Sequence, residues 1–151
     1  MLPLVLAAVS LAAAAPPQVL PVVVRTDRDA YTGNDSITVT LENRDKQPVW
    51  VEPLIRVERS EGDGRWTSVY SLRVVGTCPA EPPPKLSCVK IGAGARLELA
   101  SWDWNTGGYT QCPPRRPGHR AFKGVHRLVL EPCGARSTVG TEPRIKLVTF
   151  E

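Results

Sequence analysis

Proline and glycine interrupt this chain so often that no long soluble helix can persist, with fifteen prolines and twelve glycines spread through 151 residues. The pieces between them are short, and the clearest ones alternate. Ser36-Ile-Thr-Val-Thr-Leu-Glu42 sets Ile37, Val39 and Leu41 on one face and Ser36, Thr38, Thr40 and Glu42 on the other. Ile55 to Arg59 and Val125 to Glu131 alternate in the same way, and Arg144 to Phe150 supplies the last strand. Val22 to Thr26, Val49 to Glu52, Trp66 to Tyr70 and Ala95 to Ala100 complete the set, the last with Leu97 and Leu99 inward. Glu61-Gly-Asp-Gly64 is a hairpin turn by composition, and Gly92-Ala-Gly94 another turn. This pattern predicts an all-β chain, an immunoglobulin-like antiparallel β-sandwich of seven to eight strands rather than an α/β fold.

The first fifteen residues are uncharged and apolar, end in Ala12 to Ala15 and break at Pro16-Pro17. They read as a signal peptide over residues 1–15, cleaved near Ala14 or Ala15, followed by one domain over residues 16–151. A helix that crosses a membrane needs roughly 20 apolar residues, so no membrane span is expected. The mature chain is expected to be extracytoplasmic, periplasmic or secreted.

Export makes disulfides the default for the four cysteines, Cys78, Cys88, Cys112 and Cys133. Three pairings are open. The simplest joins sequence neighbours, Cys78 with Cys88 and Cys112 with Cys133, because each closes a short loop. Neither C-x-x-C nor a cysteine-histidine pair at finger spacing occurs, which argues against zinc.

No catalytic constellation is visible. No serine stands in a G-x-S-x-G elbow, Asp103 is the only carboxylate of the tryptophan-rich segment, and His119 lies in a Pro-Arg loop. His126 shares a strand face with Leu128 and Leu130, where it is expected to hydrogen-bond a backbone carbonyl. No cofactor motif is present.

Residues 102–123 are the most suggestive stretch. Arg115, Arg116, Arg120 and Lys123 stand against Asp103, a local +3 within the chain's formal +4, interleaved with Trp102, Trp104, Tyr109 and Phe122. Arginine and aromatic side chains supply planar, bidentate contacts to anions. This segment is the candidate binding loop, for an unknown protein or an acidic glycan. An exported domain with so mild a charge excess is not expected to bind nucleic acid.

Tyr31-Thr-Gly-Asn-Asp-Ser-Ile-Thr-Val-Thr-Leu-Glu-Asn43 resembles the opening strand motif of secreted bacterial immunoglobulin-like domains. Gly64-Arg-Trp66, Ile91-Gly-Ala-Gly94, Trp102-Asp103 and Gly124-Val-His-Arg-Leu128 follow in an order similar to that of BsuPI-type proteinase inhibitor domains. The resemblance covers residues from about 20 to 150 and implies the fold and, as an expectation, protease inhibition. The residues themselves point first to a non-enzymatic binding or structural module that uses its loops. A secreted proteinase inhibitor is the alternative, and an enzyme with an unrecognised site the third.

Overall fold

The computed structural model describes residues 18–32, 35–74, 87–99, 102–103, 108–109, 123–134, 140 and 142–151. Among these residues the chain is all-β, with twelve strand segments: β1 (Val22–Thr26), β2 (Ala30–Tyr31), β3 (Ser36–Ile37), β4 (Val39–Asn43), β5 (Val49–Ser60), β6 (Trp66–Arg73), β7 (Val89–Ile91), β8 (Arg96–Glu98), β9 (Trp102–Asp103), β10 (Gly108–Tyr109), β11 (Gly124–Pro132) and β12 (Arg144–Phe150). The count exceeds the seven or eight expected mainly because short two- and three-residue strands, β2, β7, β9 and β10, form where turns or loops were expected, and because one expected strand is split. The Ser36–Glu42 run is cut at Thr38, whose N–H donates to Asp27 Oδ1 at 2.9 Å and whose carbonyl accepts from Asp27 N–H at 3.1 Å.

The largest sheet has the order β2-β12-β11-β5-β6, with β7 also paired to β5. It is mixed, since β2 runs parallel to β12 while the other pairs are antiparallel. A second sheet has the order β1-β4-β8, and a third, small one joins β10, β9 and β3. Side chains from both larger sheets meet in one apolar core. Val22, Val24, Val39 and Leu41 come from the three-stranded sheet, and Val49, Val51, Ile55, Val57, Leu128, Leu130, Val148 and Phe150 from the large one. Ile37, Val39 and Leu41 are buried together, as the alternation predicts.

Val49–Glu52 and Ile55–Arg59 are one continuous strand, not two. Pro53 interrupts the sequence pattern without interrupting the strand, because it sits where the flanking partner of β5 changes from β6 to β7 and β11 slips register at Leu130/Pro132. Its missing N–H costs no ladder bond there, and its carbonyl accepts from Val74 N–H at 2.9 Å. The hairpin after β5 takes the expected glycine-rich form: Gly62, Asp63 and Gly64 all have positive φ (80°, 46° and 81°), and Glu61 N–H donates to Arg65 O at 3.0 Å.

The disulfide pairing differs from expectation. Cys88 is bonded to Cys133, with Cα atoms 5.8 Å apart, so neither Cys78–Cys88 nor Cys112–Cys133 forms. Loop length was a poor guide because sheet registration decides which cysteines meet. Val51 on β5 is partnered by Val89 of β7 and by Pro132 of β11, and the two cysteines are the residues that directly adjoin these partners, Cys88 before Val89 and Cys133 after Pro132. Cys78 and Cys112 lie outside the described residues.

Candidate functional site

Two local networks fix the ends of the frame. At one end Asn43, 1% exposed, ties three segments together. Its Nδ2 donates toward Gln47 O (2.9 Å), Ile91 O (3.1 Å) and Gly92 O (2.9 Å), while its Oδ1 accepts from Asp45 N–H at 2.9 Å. At the other end the Tyr31 hydroxyl lies 2.8 Å from both Asp27 Oδ1 and Arg28 O, and accepts from Arg28 N–H at 3.0 Å. Burial, and then the Asp27 carboxylate beside it, push the Tyr31 phenol up to about 12. Tyr31 stacks on Phe150 at 5.6 Å, and His126 meets the same Phe150 ring edge-on at 4.9 Å.

His126 is fully buried on the face shared with Leu128 and Leu130, and its Nδ1 lies 3.1 Å from Gly124 O. The expected carbonyl contact is therefore present. Burial pushes the imidazole below its ordinary value, Arg59 adds to that fall, and the Gly124 contact opposes it. Among the described residues no group of three metal-ligating side chains comes together.

The candidate binding loop is only partly described. Trp102 and Asp103 form β9, paired with β3 (Ile37↔Trp102, Ser36↔Asp103) and with β10 (Tyr109↔Trp102). The segment that begins at Trp102 is thus backbone-anchored to the strand that carries the buried Ile37. Lys123 is exposed immediately before β11. Trp104, Arg115, Arg116, Arg120 and Phe122 lie outside the described residues.

Sequence reasoning did not single out the outward face of the large sheet. Glu58, 8% exposed, is held there by Arg127 Nε at 2.7 Å and Arg56 Nε at 3.3 Å, and Arg56 Nη2 also reaches Glu131 Oε1 at 2.7 Å. Arg127 lies over the Trp66 ring, 4.4 Å from its centroid. Two cations and two carboxylates balance, so this part of the face carries no local charge. Beside it stand exposed apolar side chains, Val125 (41%), Ile145 (48%) and Leu147 (54%). The signal was in the Arg144–Phe150 run, where both parities are partly apolar. The register puts Lys146, Val148 and Phe150 opposite Leu128, His126 and Gly124, and so leaves Ile145 and Leu147 outside.

No helix among the described residues is long and apolar enough to cross a membrane. No family model matches the chain, and no curated protein matches its sequence. Among solved structures it is similar to the sporulation control protein Spo0M from Bacillus subtilis, with 13% identity and a TM-score of 0.42. The match covers 86% of this chain and 48% of that one, so the chain spans about half the length of that neighbour, and so distant a likeness assigns no activity.

Proposed function

We propose that this chain is an exported, non-enzymatic binding module of immunoglobulin-like sandwich architecture, with the 102–123 segment as its main interaction surface. The observation that carries the reading is the anchoring of β9 and β10 on β3, which mounts the start of an arginine- and tryptophan-rich segment on a core strand. Loops mounted on a rigid β-frame are where recognition is commonly built. The strand order also supports an immunoglobulin-like sandwich: two sheets share one core, the leading chain pairs with β4 through β1 and with the last strand through β2, and β11 lies between β5 and β12. A disulfide between two strand ends fits an oxidising, extracytoplasmic setting.

Binding of the mature protein to an acidic polysaccharide such as heparin tests this reading. Affinity is expected to fall as salt rises, because exposed charges are screened over about 8 Å at physiological ionic strength. Replacing Arg115, Arg116 and Arg120 together with alanine is expected to abolish binding and leave the melting temperature nearly unchanged. Unaltered binding by the triple variant refutes the loop as the surface. The second reading, a secreted proteinase inhibitor, rests on the motif order of the BsuPI-type domains. Stoichiometric inhibition of a serine or metalloprotease by the purified protein would favour it.

A further inference from the structure

Among the described residues, the outer edge of the large sheet is unpaired along part of β12. At one end Val19 bridges Glu142, with Leu20 N–H donating to Glu142 O at 3.1 Å and Glu142 N–H to Gln18 O at 3.2 Å. At the other end β2 closes the edge, with Thr149 N–H donating to Asp29 O at 2.8 Å and Glu151 N–H to Tyr31 O at 2.9 Å. From Val19 to Ala30 the leading chain takes eleven residue steps, while the chain through β12 takes seven from Glu142 to Thr149. The surplus is absorbed by β1, which leaves this sheet and pairs with β4 instead. Between the two closures no described strand pairs with the outer edge of β12.

The direction of the open groups follows from the pleat. Thr149 and Glu151 donate away from β11, and backbone groups two residues apart in a strand point to the same side. The N–H and C=O of Ile145 and Leu147 therefore face outward, without a backbone partner among the described residues. Their side chains are also exposed, at 48% and 54%. Unpaired strand groups beside exposed apolar side chains make a template for another extended chain.

We propose that Arg144–Leu147 is a strand-addition site for an extended segment of another protein, in which acidic residues alternate with branched apolar ones. A second copy of this chain fits poorly. Antiparallel self-pairing with Ile145 opposite Ile145 sets Arg144 against Lys146 twice, and Ile145 opposite Leu147 sets Lys146 against Lys146. Leu147 opposite Leu147 requires Thr149, whose outward N–H is already taken by Asp29. Like charges directly opposed across strands are destabilising, whereas an acidic guest residue would meet Arg144, which has no carboxylate partner among the described residues, and Lys146, whose ion pair with Asp29 is solvent-exposed. The gap accommodates a guest of about four residues at the usual rise of about 3.3 Å per residue.

The experiment is amide hydrogen exchange and amide chemical-shift mapping on the mature protein, with a capped heptapeptide of alternating valine and glutamate as the probe. In the free protein the Ile145 and Leu147 amides are expected to exchange much faster than those of Lys146 and Val148. The glutamate peptide is expected to slow both and shift their resonances saturably, and a valine–lysine peptide to do neither. Leu147→Lys is expected to abolish the effect while keeping the fold, and Arg144→Glu to weaken binding by about two- to five-fold, the range of one cross-strand charge pair. Ile145 and Leu147 amides as protected as their neighbours in the free protein would overturn the proposal. So would equal binding of the lysine peptide, no binding of the glutamate peptide, or protection that grows with protein concentration alone. None of these outcomes depends on the arginines of the 102–123 segment, so the two readings fail separately.

Discussion

Asn43→Ala is the substitution with the most to say about what holds the frame. The side chain bridges the end of β4, the turn at Asp45 and Gln47, and the turn at Ile91 and Gly92. Its amide has two protons for three carbonyls, so the four contacts amount to about three hydrogen bonds. At about 1 kcal/mol net each, with a further 1–2 kcal/mol for stranding the Ile91 carbonyl on the buried side, the loss is roughly 4 kcal/mol. For a domain of this size that corresponds to a fall in melting temperature of roughly 10–20 °C. Urea unfolding of the oxidised protein, followed by tryptophan fluorescence, measures it. Asn43→Asp keeps the size and the acceptor but turns a carboxylate toward three carbonyls, so at pH 7 it is expected to be at least as damaging as alanine, with the gap narrowing in acid. An alanine variant within about 0.5 kcal/mol of the parent, or an aspartate variant clearly better than alanine at pH 7, would refute the argument.

Removing the Cys88–Cys133 link by Cys88→Ala with Cys133→Ala is expected to cost roughly 4 kcal/mol in the chain-entropy account for a sequence separation of 45, and non-reducing peptide mapping that finds Cys78 joined to Cys88 would contradict the pairing. His126 has a folded value below its unfolded one of about 6.5, so its contribution is fully present above that pH and is lost as pH falls below it toward the folded value; urea midpoints at pH 7.5 and 5.0 are expected to differ less in His126→Gln than in the parent. Gly140→Ala would place a Cβ 2.6 Å from Leu20 Cα and 2.8 Å from Leu20 N at a φ of +76°, and a loss of at least about 2 kcal/mol by calorimetry is expected. Tyr31→Phe removes the hydroxyl contacts to Asp27 and Arg28 and is expected to cost about 1–2 kcal/mol in the same assay, while Tyr31 itself should titrate near 12 by ultraviolet absorbance, above an ordinary tyrosine.

Much of the local architecture is determined by the sequence alone. Ile37, Val39 and Leu41 can only turn one face inward, Gly62-Asp-Gly64 can adopt the left-handed turn that few other triplets tolerate, and His126 must share a face with Leu128 and Leu130. These are short-range consequences of a two-residue period and of glycine's freedom at positive φ. Partnership between distant segments has no such local signature. Cys88 meets Cys133 because each adjoins a residue that pairs with Val51, Val89 on β7 and Pro132 on β11, a fact of register that loop length does not encode. In Arg144–Phe150 each parity holds apolar residues, and the chain alone does not say which is buried; pairing with β11 and the packing of Phe150 between Tyr31 and His126 decide it. Among the described residues, the unpaired edge at Ile145 and Leu147 likewise follows from β1 pairing with β4 in the other sheet, a partnership set by the shared core and not by any residue of β12.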